Sequence, residues 1–447
     1  MTLLYVPAPP SARRLRTRDR QVVCNRTSCV FAMVRMGAET SERETVRPGS
    51  QSRSAKLMAQ LAGALLAGAL ICQPGEDVTL GAPVLPAHAA GGSGAGGGAT
   101  FANASSFVNK DAESLLRWAL PIENKPLREA QKALEEVAYE MRRLQFGKAD
   151  DSLRKFEGIL ERKQKEIVAK YSSEAKQAQA AAIIKDILST LPSVREPLAQ
   201  KNTDAVVTIQ RSLLRKIGDL ELMLVDKFPY EIPSEYKNLP VLKGRATVEV
   251  TVRRPEKRQF DIGGELFDEG KMTMVIDGFS APITGGNFVD LVQRGFYNGK
   301  KIIRSDGFVI QTGKPEGSDE GFVDPATKEL RTIPLEIFPK KERMPIYGDT
   351  LEELGRGAQA TVLPFTSYGT LAQAREEFSN DSGSSQFFWF LFEPDLTPAG
   401  RNLLDGTYAV FGYTVEGNDF LRDLKEGDYI ESAKVVDGLE NLQAPKA

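Results

Sequence analysis

The sequence of 447 residues predicts an α+β multidomain protein, in which an all-α helical bundle precedes a closed antiparallel β-barrel with flanking helices. Two patterns in the spacing of apolar residues, one in each half of the chain, support this fold class. Between residues 127 and 224 the apolar side chains recur every three or four positions, as they do on one face of a helix. From residue 246 onward they alternate with polar residues, and Gly and Pro recur at short intervals, which is typical of strands joined by turns.

Residues 1–89 have the composition of a targeting peptide. All basic residues between positions 1 and 38 are Arg, and they are accompanied by a single acid, as in organelle transit peptides. A second signal follows, with a basic start, an apolar run over 57–71 and small residues at 87–89. This run is shorter than the roughly 20 residues that span a bilayer. We therefore predict a bipartite chloroplast and thylakoid targeting peptide that is removed after residue 89.

The charge and the Cys and His content exclude several classes of protein. With 58 Lys and Arg against 60 Asp and Glu, the chain has no excess of positive charge for nucleic acid. The single His88 and all three Cys lie in the predicted leader. The mature chain therefore lacks the residues for Ser-His-Asp or Cys-His catalysis, for a zinc site and for disulfides. We expect neither a metal nor a cofactor, and we interpret the acidic run over 349–353 as a solvated loop.

The mature chain divides into four predicted segments. Residues 90–104 form a Gly-rich flexible leader, 105–228 a helical bundle, 229–245 a Pro-rich linker and 246–447 the β-barrel domain. A bend is expected at Ser172-Ser173, and a protein-binding coiled coil is the alternative to the bundle. The helical prediction depends on three apolar stripes: Leu127, Ala130, Leu134, Val137, Met141, Leu144; Leu153, Phe156, Leu160, Ile167, Tyr171, Ile183, Ile184, Ile187, Leu188, Leu191; and Val206, Ile209, Leu213, Ile217, Leu220, Leu224.

Three segments of the β region, in order, resemble the cyclophilin family of peptidyl-prolyl cis-trans isomerases. They are GGNFVDLVQRGFYNGKKIIRSDGFVIQTG over 285–313, GSSQFFWF over 383–390 and LLDGTYAVFG over 403–412. Two further features make the resemblance more specific. They are the tandem targeting signals and the helical segment ALPIENKPLREAQKALEEV, which begins at residue 119. The whole is similar to the large thylakoid-lumen cyclophilins of plants and green algae. The resemblance therefore implies a cyclophilin-like barrel in the thylakoid lumen.

The chemistry that the resemblance implies suits a chain without Cys or His. The barrier to prolyl rotation, about 18–20 kcal/mol, arises from amide resonance and needs no nucleophile. A positioned cation that donates to the prolyl nitrogen favours the twisted state, while an apolar pocket holds the ring. Motif alignment implies Arg304 and Gln311 as catalytic residues. It also implies a set of substrate-binding residues: Phe308, Val309, Gln386, Phe388, Leu403, Leu404 and Tyr408.

The sequence departs from the family pattern at several of these positions. The chain between Arg304 and Phe308 is one residue shorter, Tyr408 replaces a common His and Leu403 a common Trp. The Met-Ala-Asn run of the family pattern is replaced by AREEFSND, residues 374–381. These departures favour weak or lost isomerase activity. The resemblance implies that the protein is a factor for assembly and maintenance of photosystem II. It also implies that the protein binds proline-containing segments or lumenal loops of photosystem II subunits and is peripheral at the thylakoid membrane. The alternatives are an active isomerase regulated by the bundle and a purely structural lumenal scaffold.

Overall fold

The computed structural model describes residues 108–391 and 402–444, so the predicted leader and the Gly-rich segment lie outside the described residues. Five helices come first along the described chain, and side-chain caps begin four of them. Asp111, for example, accepts a 2.7 Å hydrogen bond from the amide of Ser114. The helices are α1 (Ala112–Ala119), α2 (Lys125–Arg142), α3 (Phe146–Val168), α4 (Glu174–Ala199) and α5 (Thr203–Met223).

The apolar stripes of α2 to α5 form one common core, so they pack against each other within the chain. The predicted bend at Ser172-Ser173 is confirmed, because it separates α3 from α4. The placement of Leu144 in the core is wrong. Its backbone adopts the left-handed conformation after the end of α2, and its side chain is 71% exposed. The spacing of apolar residues continues past the helix end, but the helical face does not.

The second half of the chain is dominated by one antiparallel sheet of eight strands, in the order β13-β2-β5-β12-β10-β11-β7-β6. Strand β2 shows why the pattern predicts it, since its buried side chains alternate with more exposed ones. Two short helices flank the strands, α6 (Pro282–Gln293) and α7 (Asn418–Asp423). The strands are β1 (Val241–Leu242), β2 (Arg245–Arg253), β3 (Phe260–Ile262), β4 (Glu265–Phe267), β5 (Gly270–Asp277), β6 (Arg304–Ser305), β7 (Val309–Thr312), β8 (Glu336–Ile337), β9 (Ile346–Tyr347), β10 (Thr370–Gln373), β11 (Phe387–Phe390), β12 (Val410–Glu416), β13 (Tyr429–Asp437) and β14 (Leu442–Gln443).

The sheet is curled, but its strand order is that of a half-barrel and not of the closed barrel that the sequence predicts. Strands β13 and β6 are the two edges, and they do not pair with each other as strands. The segment before β6 reaches across, through the bridge between Lys301 and Tyr429 and through main-chain hydrogen bonds of 2.7–2.9 Å that join residues 299–302 to 427–430. The short length of β6, two residues, explains why no continuous ladder joins the edges.

Helix α1 connects the helical region to the outer face of the sheet. Its apolar residues lie in the same cluster as Phe388 and Tyr413. Arg245 of β2 reinforces the contact, because its guanidinium donates to the carbonyl of Leu116 and, over 2.9 Å, to the carboxylate of Asp277. Helix α1 therefore contacts the sheet through an apolar cluster and through Arg245, and Arg215 of α5 adds an ion pair of 2.8 Å with Glu416 of β12.

Glu336 caps the start of α6 from inside the protein. Its carboxylate accepts hydrogen bonds from the amides of Ile283, at 3.1 Å, and Thr284, at 2.8 Å. The side chain is fully buried, and this burial raises the pKa of Glu336 from an ordinary 4.5 to about 7 against the opposing effect of the amides. The phenols of Tyr230 and Tyr347 face the same carboxyl group, and their pKa values are raised by burial, so both stay neutral.

We expect the free energy of unfolding to fall between about pH 5 and pH 8, partly because of Glu336. The folded state holds this proton more tightly than the unfolded chain, so the stabilisation is complete below pH 4.5 and is lost as the pH rises through 7. The contribution is roughly 1–3 kcal/mol. Urea unfolding across this range measures it, and Glu336→Gln flattens that part of the slope. An exposed variant, Glu265→Gln, serves as the control, and parallel curves for the wild type and Glu336→Gln contradict the assignment.

Candidate functional site

Strands β6, β7 and β11 bring the two predicted catalytic side chains onto neighbouring strands. Arg304 of β6 lies directly opposite Gln311 of β7, and Gln311 lies opposite Phe388 of β11. The turn between β6 and β7 is held by Asp306, whose Oδ1 accepts hydrogen bonds of 3.0 Å from the amides of Phe308 and Val309. These bonds hold the Asp-Gly turn that joins β6 to β7 in the register that pairs Arg304 with Gln311.

The guanidinium of Arg304 is oriented by the same aspartate. Both Nε and Nη2 lie 2.6 Å from Oδ2 of Asp306, and the Arg304 side chain is 28% exposed. An arginine stays protonated and offers a rigid fork of donors, so the pair fixes the direction of the remaining donors. Asp306 is not among the residues predicted from the sequence, although Asp-Gly between apolar runs is a standard hairpin signal.

Gln311 and Gln386 form a pair of amides beside the arginine. The side-chain nitrogen of Gln311 donates to Oε1 of Gln386 over 2.9 Å. The amide nitrogen of Gln386 donates in turn to the backbone carbonyl of Glu320 over 2.6 Å. Glu320 belongs to residues 314–373, the long insertion that follows the first family-like motif. The insertion thus occupies the donor of Gln386, a residue predicted to bind substrate.

The predicted apolar pocket is lined by Val309, Phe388, Leu404 and Tyr408, which the structure places in one cluster. Phe388 is 6% exposed within this cluster, where it contacts two aromatic rings. The ring of Phe365 stacks on it with centroids 6.2 Å apart, and Tyr408 packs against it edge-on at 5.6 Å.

A separate cavity of about 10 Å³, the volume of one water molecule, borders Tyr408 on the side of Glu336 and Leu363. Its lining does not include Arg304, Gln311 or Phe388.

Two further residues near the pocket were not identified from the sequence. Phe365, fully buried, lies in the long insertion, whose irregular pattern gives no signal for what it packs against. Arg375 begins the loop that replaces the family's Met-Ala-Asn run. Its guanidinium lies 5.0 Å from the centre of the Tyr408 ring and donates to the carbonyl of Thr407 over 3.2 Å. The residue that replaces the common His is therefore covered by a cation.

The remaining predicted residues lie at the rim of this site. Phe308 is 43% exposed in the β6–β7 turn, and Leu403 is 70% exposed in the turn before β12. The structure thus divides the prediction into a polar group around Arg304 and Gln311, an apolar group around Phe388 and two exposed rim residues. Gln311 of β7 lies between the cation on β6 and Phe388 on β11, and side chains of the chain itself pack against the apolar group.

The curled antiparallel sheet, its Arg-bearing edge and its buried aromatic cluster define a cyclophilin-type domain, here preceded by a helical one. Residues 261–440 match the family described as "Cyclophilin type peptidyl-prolyl cis-trans isomerase/CLD". Residues 111–225 match "Peptidyl-prolyl cis-trans isomerase CYP38-like, PsbQ-like domain". The chain belongs to the cyclophilin-type peptidyl-prolyl cis-trans isomerases.

Its relatives include chloroplast and cyanobacterial proteins. The chain is 47% identical to "Peptidyl-prolyl cis-trans isomerase CYP38, chloroplastic" of Arabidopsis thaliana, over 75% of this chain and 76% of the relative. It is 44% identical to a thylakoid lumen peptidyl-prolyl cis-trans isomerase of Synechocystis sp., over 74% and 84%, respectively. CYP37 of Arabidopsis thaliana is 30% identical over 76% of this chain and 72% of the relative. As the sequence predicts, the protein is located in the thylakoid lumen.

None of the helices within 108–391 and 402–444 has the length and apolar character needed to cross a membrane.

Proposed function

We propose that this lumenal cyclophilin acts as a folding or assembly factor for photosystem II and that its isomerase activity is weak or lost. Its substrates are proline-containing segments or lumenal loops of photosystem II subunits. The family resemblance and the two domain matches support the assembly role. The low activity rests on the state of the predicted pocket.

The observation that carries the low activity is the burial of Phe388 beneath Phe365 and Tyr408. Isomerisation needs the prolyl ring held in an apolar pocket while a donor approaches its nitrogen. In this protein Arg304 remains next to Gln311, but side chains of the chain itself fill the apolar group. A substrate must displace Phe365 before its ring can enter, so a large part of its binding energy is lost to reorganisation.

The roles of the individual residues belong to the same proposal. Arg304 donates to the prolyl nitrogen, and Gln311 orients the peptide through its amide. Val309, Phe388, Leu404 and Tyr408 enclose the ring once Phe365 moves, while Phe308, Gln386 and Leu403 contact the rest of the peptide. Main-chain hydrogen bonds of 2.7–2.8 Å between residues 300–302 and 428–430 hold the two edges of the open sheet near each other.

An active isomerase regulated by the bundle is the second candidate, favoured by the packing of α1 in the cluster that contains Phe388. In this alternative, α1 packs on the sheet and stabilises the state in which side chains of the chain itself fill the pocket. Loosening α1 with Leu115→Ser and Leu116→Ser, and not truncation of Phe365, then restores turnover. The two candidates differ in which element closes the pocket.

The assembly role predicts that the chain from residue 90 onward captures photosystem II subunits from detergent-solubilised thylakoid membranes. Mass spectrometry of proteins retained on the immobilised chain measures this. Because the exposed rim residues contact the partner, Phe308→Ser with Leu403→Ser reduces recovery several-fold, whereas Leu266→Ser, on the exposed β3–β4 hairpin, does not. Recovery of no photosystem II subunit with any of these chains contradicts the assembly role.

A further inference from the structure

The end of the helical bundle formed by the α2–α3 turn and the α4–α5 turn has an unusual surface. We call residues 142–148 and 200–202 the basic tip. The two turns touch, since Nζ of Lys201 lies 5.4 Å from the centre of the Phe146 ring. Arg128, near the start of α2, contacts the carbonyl groups of α1, so the basic tip is the end of the bundle far from the sheet. The 18-residue helix α2 separates the two ends by roughly 27 Å.

Both turns use the same helix stop, and both place a bulky residue where glycine is usual. Leu144 and Lys201 each follow a helix with φ of 59°, in the left-handed region. The amide of Gln145 donates to the carbonyl of Glu140, and the amide of Asn202 donates to the carbonyl of Pro197. Both hydrogen bonds are 2.9 Å long, as in a Schellman motif. Glycine adopts this conformation without strain, whereas Leu and Lys do so at a cost.

No packing within the described chain compensates for the strain at Leu144. Its side chain is 71% exposed and lies outside the apolar core. A strained, exposed apolar side chain points to a role in contacts outside the folded chain. The equivalent position in the neighbouring turn carries the cation Lys201, so an apolar group and a positive charge project from the same end.

The charged residues within the basic tip itself are all positive. Arg142, Arg143, Lys148 and Lys201 are exposed there. The nearest acids, Glu140, Asp150, Asp151, Glu196 and Asp204, lie two to four residues away from the tip along the chain. Among them, Asp150 forms ion pairs with Arg154 and Arg195. Since the whole chain carries a net charge of −2, this concentration of cations is local.

We propose that the basic tip binds the surface of an anionic lipid bilayer. Leu144 enters the interface between headgroups and acyl chains, and the four cations contact the negatively charged headgroups. A convex tip with one apolar side chain and long flexible cations fits a fluid headgroup layer. The geometry holds the sheet and its candidate site roughly 27 Å or more from the membrane. The bundle thus acts as a spacer that presents the site to lumenal segments of membrane proteins.

Co-flotation of the chain from residue 90 with vesicles tests this proposal. We expect binding to phosphatidylcholine vesicles that contain phosphatidylglycerol, little binding to phosphatidylcholine alone, and a loss of binding as salt is raised. Replacing Arg142, Arg143 and Lys148 by Gln weakens binding by on the order of fivefold per cation. Equal binding to the two kinds of vesicle overturns the proposal. The absence of binding to either kind also overturns it and leaves an acidic protein as the alternative partner of the basic tip.

The variant Leu144→Gly separates membrane contact from folding. Gly relieves the left-handed strain, so the melting temperature stays equal or rises. Vesicle binding nevertheless falls by about tenfold, because the inserted apolar side chain is gone. Leu266→Gly, which removes a 63% exposed leucine from the β3–β4 hairpin, is the matched control and retains binding. Unchanged binding of Leu144→Gly rules out insertion at the basic tip.

Discussion

Arg128→Met is expected to lower the free energy of unfolding by about 3–5 kcal/mol, because it leaves a buried carboxylate without its partner. Nη1 of Arg128 lies 2.9 Å from Oε1 of Glu221, whose side chain is fully buried. The same guanidinium donates to the carbonyls of Arg117 and Leu120 at the end of α1, each over 2.8 Å. Its loss therefore removes an ion pair and the cap of α1 together.

Urea unfolding followed by circular dichroism measures this effect. Removing the second charge as well, in Arg128→Met with Glu221→Gln, recovers a large part of the loss, since no unpaired charge remains buried. The control is Lys132→Met on the same helix, which breaks the exposed pair with Glu136 and costs less than about 1 kcal/mol. If Arg128→Met and Lys132→Met are equally stable, the buried pair does not hold the start of the bundle.

Phe365→Ala is expected to have two opposite effects, a loss of stability and a gain of isomerase activity. Truncating a fully buried Phe costs about 3–5 kcal/mol. The same truncation removes the ring that stacks on Phe388, and we expect the space that it leaves to admit a prolyl ring. We therefore expect kcat/KM for a prolyl tetrapeptide to rise by at least about tenfold, which corresponds to roughly 1.4 kcal/mol of transition-state stabilisation.

Phe260→Ala is the matched control for this gain. Phe260 is also fully buried, but it packs on Phe420 in the other core of the sheet. It should lose comparable stability without any increase in turnover. A gain in activity for both variants would show that general loosening of the domain, and not the uncovering of Phe388, accelerates the reaction.

Much of the fold follows from local patterns in the sequence. The apolar stripes of α2 to α5 and the alternation in β2 and β5 depend on the period of each element and correctly predict their type. Two features were not predictable in this way. One is the exposed position of Leu144, and the other is that the edge strands of the sheet do not pair to close a barrel. A left-handed helix stop and the meeting of two sheet edges depend on backbone geometry, which apolar spacing does not encode.

For the candidate site, the motifs located the strands but not the residues that fill the space between them. Arg304, Gln311 and Phe388 lie on adjacent strands because each sits within a motif of fixed register. Phe365 and Arg375 come from an insertion and a replaced loop, which have no periodicity. Which of their side chains covers the site is decided by tertiary packing alone.

The central claim is that the cyclophilin site of this protein is complete in its cation but closed to proline by Phe365. The rate of prolyl isomerisation in three chains tests it most directly: the unaltered chain, Phe365→Ala, and Phe365→Ala with Arg304→Ala. We expect a kcat/KM below about 10⁴ M⁻¹s⁻¹ for the unaltered chain, a gain for Phe365→Ala and loss of that gain when Arg304 is also replaced. An unaltered chain that already reaches about 10⁶ M⁻¹s⁻¹ or more, with no gain from Phe365→Ala, would contradict it.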